Sequence, residues 1–390
     1  MLRLNLLTKK CFFSIVIIAT IILGYQIPVA GLGFFGGHLE EGADTSLVLF
    51  ALGLSPWMAS QLLWRVLTLG DRKPYTKKRQ TKMQLTMLLI ALIQSLAMTL
   101  QSTSLGEFLS VSLPLSIILI AASYVVALLA NLNAQYGIGG VTLVFLTNIL
   151  LSKEDLGFDL SLLTERHNLV FLGLLVAWSF LSVFGMVILE RAEYRVKIRR
   201  LGLNNDFAND SYLPFKLNFS SGMPFMYAFT LLAFPKYLFT LLNILSGKSI
   251  DFSNALTYFT INHWKGALVY MAILLSLNLI FTMFNGDVVN TVETMRSQGD
   301  YIIGIAPGND TKQYLTTLLW RLGMISGISI ALLAGLPILL AQLDTEMADL
   351  ATLPTIIMMI ASMMMTVIQE VSIIQLVRGY HQIVDYPEDS

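Results

Sequence analysis

Long apolar segments alternate with short polar segments along nearly the whole chain. Nine of them have the roughly 20 apolar residues that a helix needs to cross a bilayer. They lie at about 11–30, 46–66, 83–102, 113–132, 169–190, 217–243, 265–284, 315–341 and 353–378. A tenth, 138–151, is shorter, and its length alone fits either a re-entrant segment or a short tilted span. The pattern predicts a helical protein that crosses a membrane many times.

The basic residues decide how the tenth segment is placed, because Lys and Arg are enriched in cytoplasmic loops. If the N-terminus is cytoplasmic and all ten segments cross, the cytoplasmic side holds all but five of the 25 Lys and Arg residues. Those five are Lys153, Arg166, Lys236, Lys248 and Lys265. If 138–151 did not cross, every later loop would change sides and the bias would disappear. We therefore predict ten spans with both termini in the cytoplasm.

The composition agrees with this interpretation and narrows the function. The chain is 55% hydrophobic and only 13% charged, whereas about a quarter of the residues in a soluble domain are charged. The formal net charge of +0 gives no overall field that would attract nucleic acid. The single cysteine, Cys11, excludes an intrachain disulfide and a Cys-based metal site.

Ionisable residues are scarce inside the predicted spans. Glu370 lies about two turns from the inner end of the last span, and Lys236 lies near the outer end of its own. Interfacial charges are the simpler interpretation and a proton relay is the alternative. The His residues fall in loops without metal-ligand spacing, and no nucleophile–base set or phosphate-binding loop occurs. The sequence predicts no enzyme activity, no metal site and no cofactor, so transport would need energy from a partner or a gradient.

Small and neutral polar residues recur inside the spans instead, often beside Gly or Pro. Gly53 and the Ser55–Pro56 pair interrupt the second segment, and Gly137, Gly139 and Gly140 lie where the 138–151 segment begins. Helix packing explains each one singly. Together they fit helices that line a water-accessible cavity, where freed backbone groups find partners.

Two predicted cytoplasmic loops, 190–216 and 285–314, are longer than a connection needs. Topology accounts for their basic residues but not for their length. Their Gly, Asp and Asn residues indicate ordered turns rather than flexible linkers.

Several short motifs are similar, in order, to those of one family. They are IPVAG at 27–31, LFALGLSPW at 49–57, YGIGG at 136–140, YLPFKLN at 212–218, NGDVVN at 285–290 and GIAPG at 304–308. They resemble the SecY/Sec61 protein-conducting channels, and they run in register across nearly the whole chain. The predicted ten spans agree with that resemblance.

The resemblance implies an all-α polytopic fold of ten transmembrane helices in two inverted five-helix halves, here 1–151 and 152–390. It also implies a pore sealed by a ring of apolar side chains, which would exclude ions by dewetting. Carried over by motif, the ring comprises Leu54, Met58, Val141, Phe145, Met223 and Met359. A lateral gate toward lipid, between the second and seventh helices, would include Ser60, Gln61, Gln94 and Ser221.

The resemblance further implies a central channel subunit of a protein-export translocase, in a bacterial plasma membrane and driven by a SecA-type ATPase. Other expected partners are SecE-like or SecG-like small subunits or accessory Sec proteins, the secretory preprotein and membrane lipid. We expect the ATPase to dock on the two long loops. The expected docking residues are Arg195, Lys197, Arg199, Arg200, Gly304, Ala306, Pro307 and Gly308.

Two departures from the family pattern indicate which branch the chain resembles. The connection at 31–45 is short and Gly-rich, so a regular plug helix is not expected there. Ala306 stands where the family usually has Arg. These features resemble the accessory SecY paralogues of Gram-positive bacteria, which export serine-rich glycosylated adhesins. A housekeeping SecY channel and a small-solute secondary transporter are the alternatives.

Overall fold

The computed structural model describes residues 6–29, 47–68, 77–102, 111–151, 169–200, 211–246, 256–261, 263–342 and 350–384. Within these residues the fold is helical, with one small sheet. The helices are α1 (Leu6–Gln26), α2 (Ser55–Leu67), α3 (Lys77–Ser102), α4 (Leu113–Tyr136), α5 (Gly140–Leu151), α6 (Leu169–Arg191), α7 (Met223–Leu245), α8 (Trp264–Asn285), α9 (Val288–Gln298), α10 (Asn309–Ala341) and α11 (Leu353–Val384). The strands are β1 (Glu193–Arg200), β2 (Tyr212–Lys216) and β3 (Asp300–Ile302), and a 3₁₀ turn (Leu350–Thr352) precedes α11.

The helix count confirms the predicted ten-helix membrane fold. Among the described residues, eight stretches of helix are long and apolar enough to cross a membrane, and α5 is a shorter apolar helix. Helix α2 is the tenth. Helix α9 is not counted, because it is an amphipathic helix that follows α8 directly, in the loop before α10. The small sheet was not predicted from the sequence.

The second predicted span is not one helix. Residues 47–54 form turns, and α2 begins only at Ser55, so the helix has 13 residues. The backbone before it forms a bridge with the end of α1, in which the Val29 amide donates to the Leu47 carbonyl at 2.7 Å. Pro56 therefore lies in the first turn of a helix, where its missing N–H has no intrahelical partner to lose.

The chain divides into two compact units. The first comprises Met1–Leu162, Phe229–His263 and Met363–Ser390, and the second comprises Leu163–Ala228 and Trp264–Ser362. In the first unit, α3 packs against α2 and α4, and α1 packs against α4 and α5. The division into halves at 1–151 and 152–390 stays a prediction.

In the second unit, the α8–α10 pair makes the most extensive helix contact. Asn278 on α8 ties the pair together, because its Nδ2 donates to the Gly323 carbonyl at 2.9 Å and to Ser326 Oγ at 2.8 Å. Trp178 on α6 adds a hydrogen bond to the Leu333 carbonyl of α10 at 3.0 Å. Neutral polar side chains thus join apolar helices, as is usual where lipid supplies no hydrophobic force between them.

The sheet joins the two long loops that the sequence predicted to be ordered. Its strand order is β2–β1–β3, with both pairings antiparallel. One face packs on a core with α9 and α10. That core contains Val196, Ile198, Phe215, Val288, Met295, Ile302, Leu315, Leu319 and Leu322. Three strands with an apolar face packed on helices have the support that an isolated hairpin lacks.

Candidate functional site

The start of α2 places two predicted ring residues in the interior. Gly53 has a φ of +50°, which a residue with a Cβ rarely adopts. The Asn148 side chain lies where a Cβ on Gly53 would be, and Tyr25 donates a hydrogen bond to Asn148 at 2.7 Å. The chain can therefore turn tightly into α2, and both Leu54 and Met58 are 0% exposed.

The other predicted ring residues are buried to different degrees. Phe145 and Met359 are buried, whereas Val141 and Met223 are half-buried. Four of the six belong to the first compact unit, and Met223 and Met359 belong to the second. The convergence of all six on one constriction stays a prediction.

Two predicted lateral-gate residues join α2 to α3. Ser60 is buried, and its hydroxyl donates to the Met83 carbonyl at 2.7 Å and lies 2.6 Å from Thr86 Oγ1. Gln94 is 0% exposed and donates to Ser55 Oγ at 3.2 Å. The Ser60 hydroxyl and the Gln94 Nε2 are thus used within the α2–α3 pair, whereas Gln94 Oε1 is buried and has no hydrogen-bond partner among the described residues.

The remaining gate residues lie at helix edges. Gln61 on α2 is half-buried. Ser221 is half-buried in the turn before α7 and has a φ of +48°. Their participation in a gate stays a prediction, as it does for Ser60 and Gln94.

The Gly-rich turn between α4 and α5 is held by polar side chains from α4 and from α1. Asn133 on α4 donates to the carbonyls of Ile138 at 3.1 Å and Gly140 at 2.7 Å. Ser14 on α1 donates to Asn133 Oδ1 at 2.7 Å and accepts from the Ile138 amide at 2.8 Å. Both side chains are buried. The turn is therefore an ordered element, and sequence reasoning noted its glycines but missed the residues that support them.

The outer face of the sheet carries the predicted basic docking residues. Arg195, Lys197 and Arg199 alternate along β1 with buried Val196 and Ile198. This alternation is the period-2 pattern of a strand with one buried face. The basic residues therefore share one exposed face; Arg200 also lies on β1, but its side chain is outside the described residues.

Aromatic side chains lie beside these basic groups. The Arg195 guanidinium lies 4.7 Å from the centroid of the Tyr212 ring, and it also pairs with Glu193 at 2.8 Å. Arg199 is directly opposite Tyr301 across the β1–β3 pairing. We call this basic and aromatic surface, comprising Arg195, Lys197, Arg199, Tyr212 and Tyr301, the basic sheet face.

The second predicted docking segment follows β3 directly. Gly304 and Gly308 have φ values of +82° and +110°, and the intervening Ala306 and Pro307 are exposed. Thr311 Oγ1 in the first turn of α10 donates to the Ala306 carbonyl at 2.9 Å and holds this turn on the helix. Since β3 pairs with β1, the fold brings both predicted docking segments to one sheet.

One buried carboxylate was not singled out from the sequence. Glu190 near the end of α6 is 4% exposed, and it accepts a hydrogen bond from Ser362 on α11 at 2.5 Å. The bounds of the predicted loop 190–216 included it. In the described part of the chain, no group of three or more His, Cys, Asp or Glu side chains is placed to hold a metal ion. The prediction that no metal binds is not tested by that observation.

Comparison with known proteins decides the family. A sequence model of the SecY family matches residues 48–373. The chain belongs to the SecY family. It is a SecY-type channel protein, and the resemblance that the sequence motifs indicated is confirmed.

Relatives of this SecY-family chain match it over almost their full length. The accessory Sec system protein translocase subunit SecY2 of Streptococcus agalactiae serotype III is 29% identical, over 99% of this chain and 98% of the relative. The subunit of the same name from Streptococcus pneumoniae serotype 4 is 30% identical, over 97% of this chain and 98% of the relative.

Solved structures share the fold. A structure described as showing that the plug domain of SecY stabilises the closed channel has a TM-score of 0.66 at 14% identity, covering 95% of this chain and 94% of that one. The structure of a protein-conducting channel has a TM-score of 0.64 at 14% identity, covering 94% of each chain. The connection at 31–45, where a regular plug helix was not expected, lies outside the described residues.

Proposed function

We propose that this SecY-family chain is the central channel subunit of an accessory protein-export translocase, passing secretory polypeptides through a pore sealed by an apolar ring. The observation that carries the proposal is the family match over 48–373 in a chain whose described part has eight apolar helices long enough to cross a membrane and a shorter ninth. The start of α2 supports it, since Leu54 and Met58 are fully buried where the chain enters the helix. Flexible apolar side chains can adapt to a passing polypeptide and exclude ions when it is absent.

The energy for translocation comes from a SecA-type ATPase that docks on the basic sheet face and the adjoining turn at 303–308. In support, the two docking segments meet on one sheet. The sheet presents cationic groups above a packed core, so it offers a partner a rigid surface. Small SecE-like or SecG-like subunits or accessory Sec proteins complete the complex.

The accessory pathway is favoured over the housekeeping one. Its support is that relatives matching nearly the whole chain carry the accessory SecY2 name. The substrates are then a few specialised secretory proteins, of the serine-rich glycosylated adhesin class. The location is the bacterial plasma membrane with both termini cytoplasmic, which is the orientation that the distribution of Lys and Arg favours.

Site-specific photo-crosslinking tests the channel directly. A crosslinker at Met58 should capture a secretory chain stalled in translocation, because the residue is buried at the proposed seal. The matched control is Leu63 on the same helix, which is 44% exposed and should capture lipid instead. Capture at Met58 with the accessory ATPase present, and its absence with the housekeeping ATPase, would identify the pathway.

The alternative function predicts a different outcome of the same experiment. A small-solute secondary transporter would take up solute in proteoliposomes, and no polypeptide would crosslink at Met58. That result would overturn the channel proposal.

A further inference from the structure

The turn between α4 and α5 breaks the helical backbone at Gly137, Ile138 and Gly139, which are buried in the protein. Gly139 and Gly140 have φ values of +74° and +51°, so helical hydrogen bonding is interrupted there. A buried backbone group that is left without a hydrogen-bond partner costs about 1–3 kcal/mol. The partners of each backbone group therefore show how the fold tolerates the break.

Local partners satisfy most of these backbone groups. The Gly137 amide donates to the Asn133 carbonyl at 2.8 Å, and the Gly139 carbonyl accepts from the Leu143 amide at 3.1 Å. Ser14 and Asn133 bind the backbone of Ile138 and the carbonyl of Gly140. None of these partners binds the Gly139 amide.

Glu370 on α11 accepts a hydrogen bond from the Gly139 amide. The Gly139 amide donates to Glu370 Oε2 at 2.8 Å, across 231 positions of sequence. One turn earlier on the same helix, Val367 packs so closely that a Cβ on Gly139 would lie 3.0 Å from its Cγ2. Both contacts fall within the first compact unit. The side of α11 that carries Val367 and Glu370 is thus fitted to the bare backbone of Gly139.

We propose that Glu370 is a positioning residue of the channel, which fixes the Gly-rich turn and hence the direction in which α5 leaves it. Glu370 acts as a hydrogen-bond acceptor and carries no proton through the membrane. Val141 follows the turn directly and Phe145 lies one turn later, so the carboxylate controls the start of α5 that bears two predicted ring residues. The effect of Glu370 on the two predicted ring residues rests on the proposed channel function.

A glutamine at position 370 separates the acceptor role from the proton-relay role. Glu370→Gln keeps an oxygen at the same reach but cannot relay a proton, whereas Glu370→Met keeps the length and removes the acceptor. The matched control is Ser372→Ala, because Ser372 is exposed and its hydroxyl bonds only back to the Ile368 carbonyl of its own helix at 2.8 Å.

The first measurement is amide hydrogen exchange of the full-length protein in nanodiscs, followed at Gly139. In the unmodified protein we expect this amide to be as protected as that of Ile138. Glu370→Met should speed its exchange at least about tenfold, the change expected when a hydrogen bond to a charged acceptor is lost. Glu370→Gln and Ser372→Ala should each stay within about threefold of the unmodified protein, since a neutral acceptor retains most of the bond.

The second measurement is ion leak from proteoliposomes, which reports on the ring. Glu370→Met should raise the leak severalfold, and Glu370→Gln should restore it nearly to the starting level. A glutamine variant that behaves like the methionine variant in both assays would overturn the acceptor role. Unprotected exchange at Gly139 in the unmodified protein would overturn it without any variant.

The two assays separate this inference from the proposed function. Hydrogen exchange at Gly139 needs no channel activity, so protection lost only in Glu370→Met supports positioning even if no polypeptide crosslinks at Met58. Changed exchange with unchanged leak would retain the hydrogen bond but overturn its control of the ring.

Discussion

Polar side chains have opposite roles in the α4–α5 turn and in the three-stranded sheet. In the turn, side chains from α1, α4 and α11 accept or donate for the backbone, and Ser14 and Asn133 are buried. In the sheet, the backbone pairs with itself, and Arg195, Lys197 and Arg199 stay exposed. Polar groups therefore hold the membrane part together, whereas on the sheet they remain accessible to a partner.

The difference follows from the solvent around each region. The buried backbone of the turn has no water to bind, so its irregular conformation persists only where protein groups satisfy it. Water satisfies exposed charges at little cost, so the sheet depends on its apolar face for stability. Substitutions should consequently affect stability in the turn and on the inner sheet face, and affect association on the outer sheet face.

The largest expected effect is on the inner face of the sheet. Phe215 on β2 is 3% exposed, so Phe215→Ala should lower the free energy of unfolding of this region by about 3–5 kcal/mol. The matched control is Tyr212→Ala on the same strand, since Tyr212 is 42% exposed and should cost less than about 1 kcal/mol. Thermal unfolding in detergent, with limited proteolysis of the loops, measures both. Equal losses would show that the sheet has no inner face of this kind.

A smaller loss is expected in the turn. Asn133→Ala removes the side-chain bonds to Ser14, Ile138 and Gly140, and it should cost about 2–4 kcal/mol because buried partners lose their hydrogen bonds. Asn131→Ala is the control: its side chain is exposed and bonds only to the Ala127 carbonyl of its own helix. If both variants unfold at the same temperature, the turn is not held by this network.

The smallest expected effect is on association at the basic sheet face. Lys197→Glu with Arg199→Glu should weaken binding of the SecA-type ATPase to vesicles about tenfold at low salt, and less at high salt because exposed charges are screened. Folding should be unchanged. Arg296→Glu on α9, which is also exposed, is the control for a charge reversal outside this face and should leave binding nearly unchanged. Unchanged ATPase binding in the double variant, measured by co-flotation, would contradict docking on this face.

Some features followed from the sequence because they depend on composition and local pattern. The apolar segments and the distribution of basic residues predicted ten membrane helices, because an apolar run of about 20 residues can cross lipid as a helix and in few other conformations. The two long loops were predicted to be ordered, and the structure confirms ordered strands within both. Motifs spread along the chain indicated the SecY family before any fold was known, and the family match confirms it.

Other features required the tertiary structure, because they depend on residues far apart in the chain. The alternation in 193–200 was masked by its charges, and its pairing with 300–302 depends on contacts across about a hundred residues. The resemblance assigned Ser60 to the lateral gate, which stays a prediction, and only the structure revealed that its hydroxyl donates to the Met83 carbonyl of α3. Glu370 looked like an interfacial charge or a relay, and only the packing of α11 on Gly139 revealed the amide that it binds.

The sequence by itself thus determined which segments enter the membrane and to which family the chain belongs. Hydropathy and motif spacing belong to the chain before it folds, so a single sequence reveals them. The tertiary structure decided which polar groups meet, because a hydrogen bond is fixed by distances of about 3 Å. Such distances are set only when segments distant in sequence, such as the α4–α5 turn and α11, have come together.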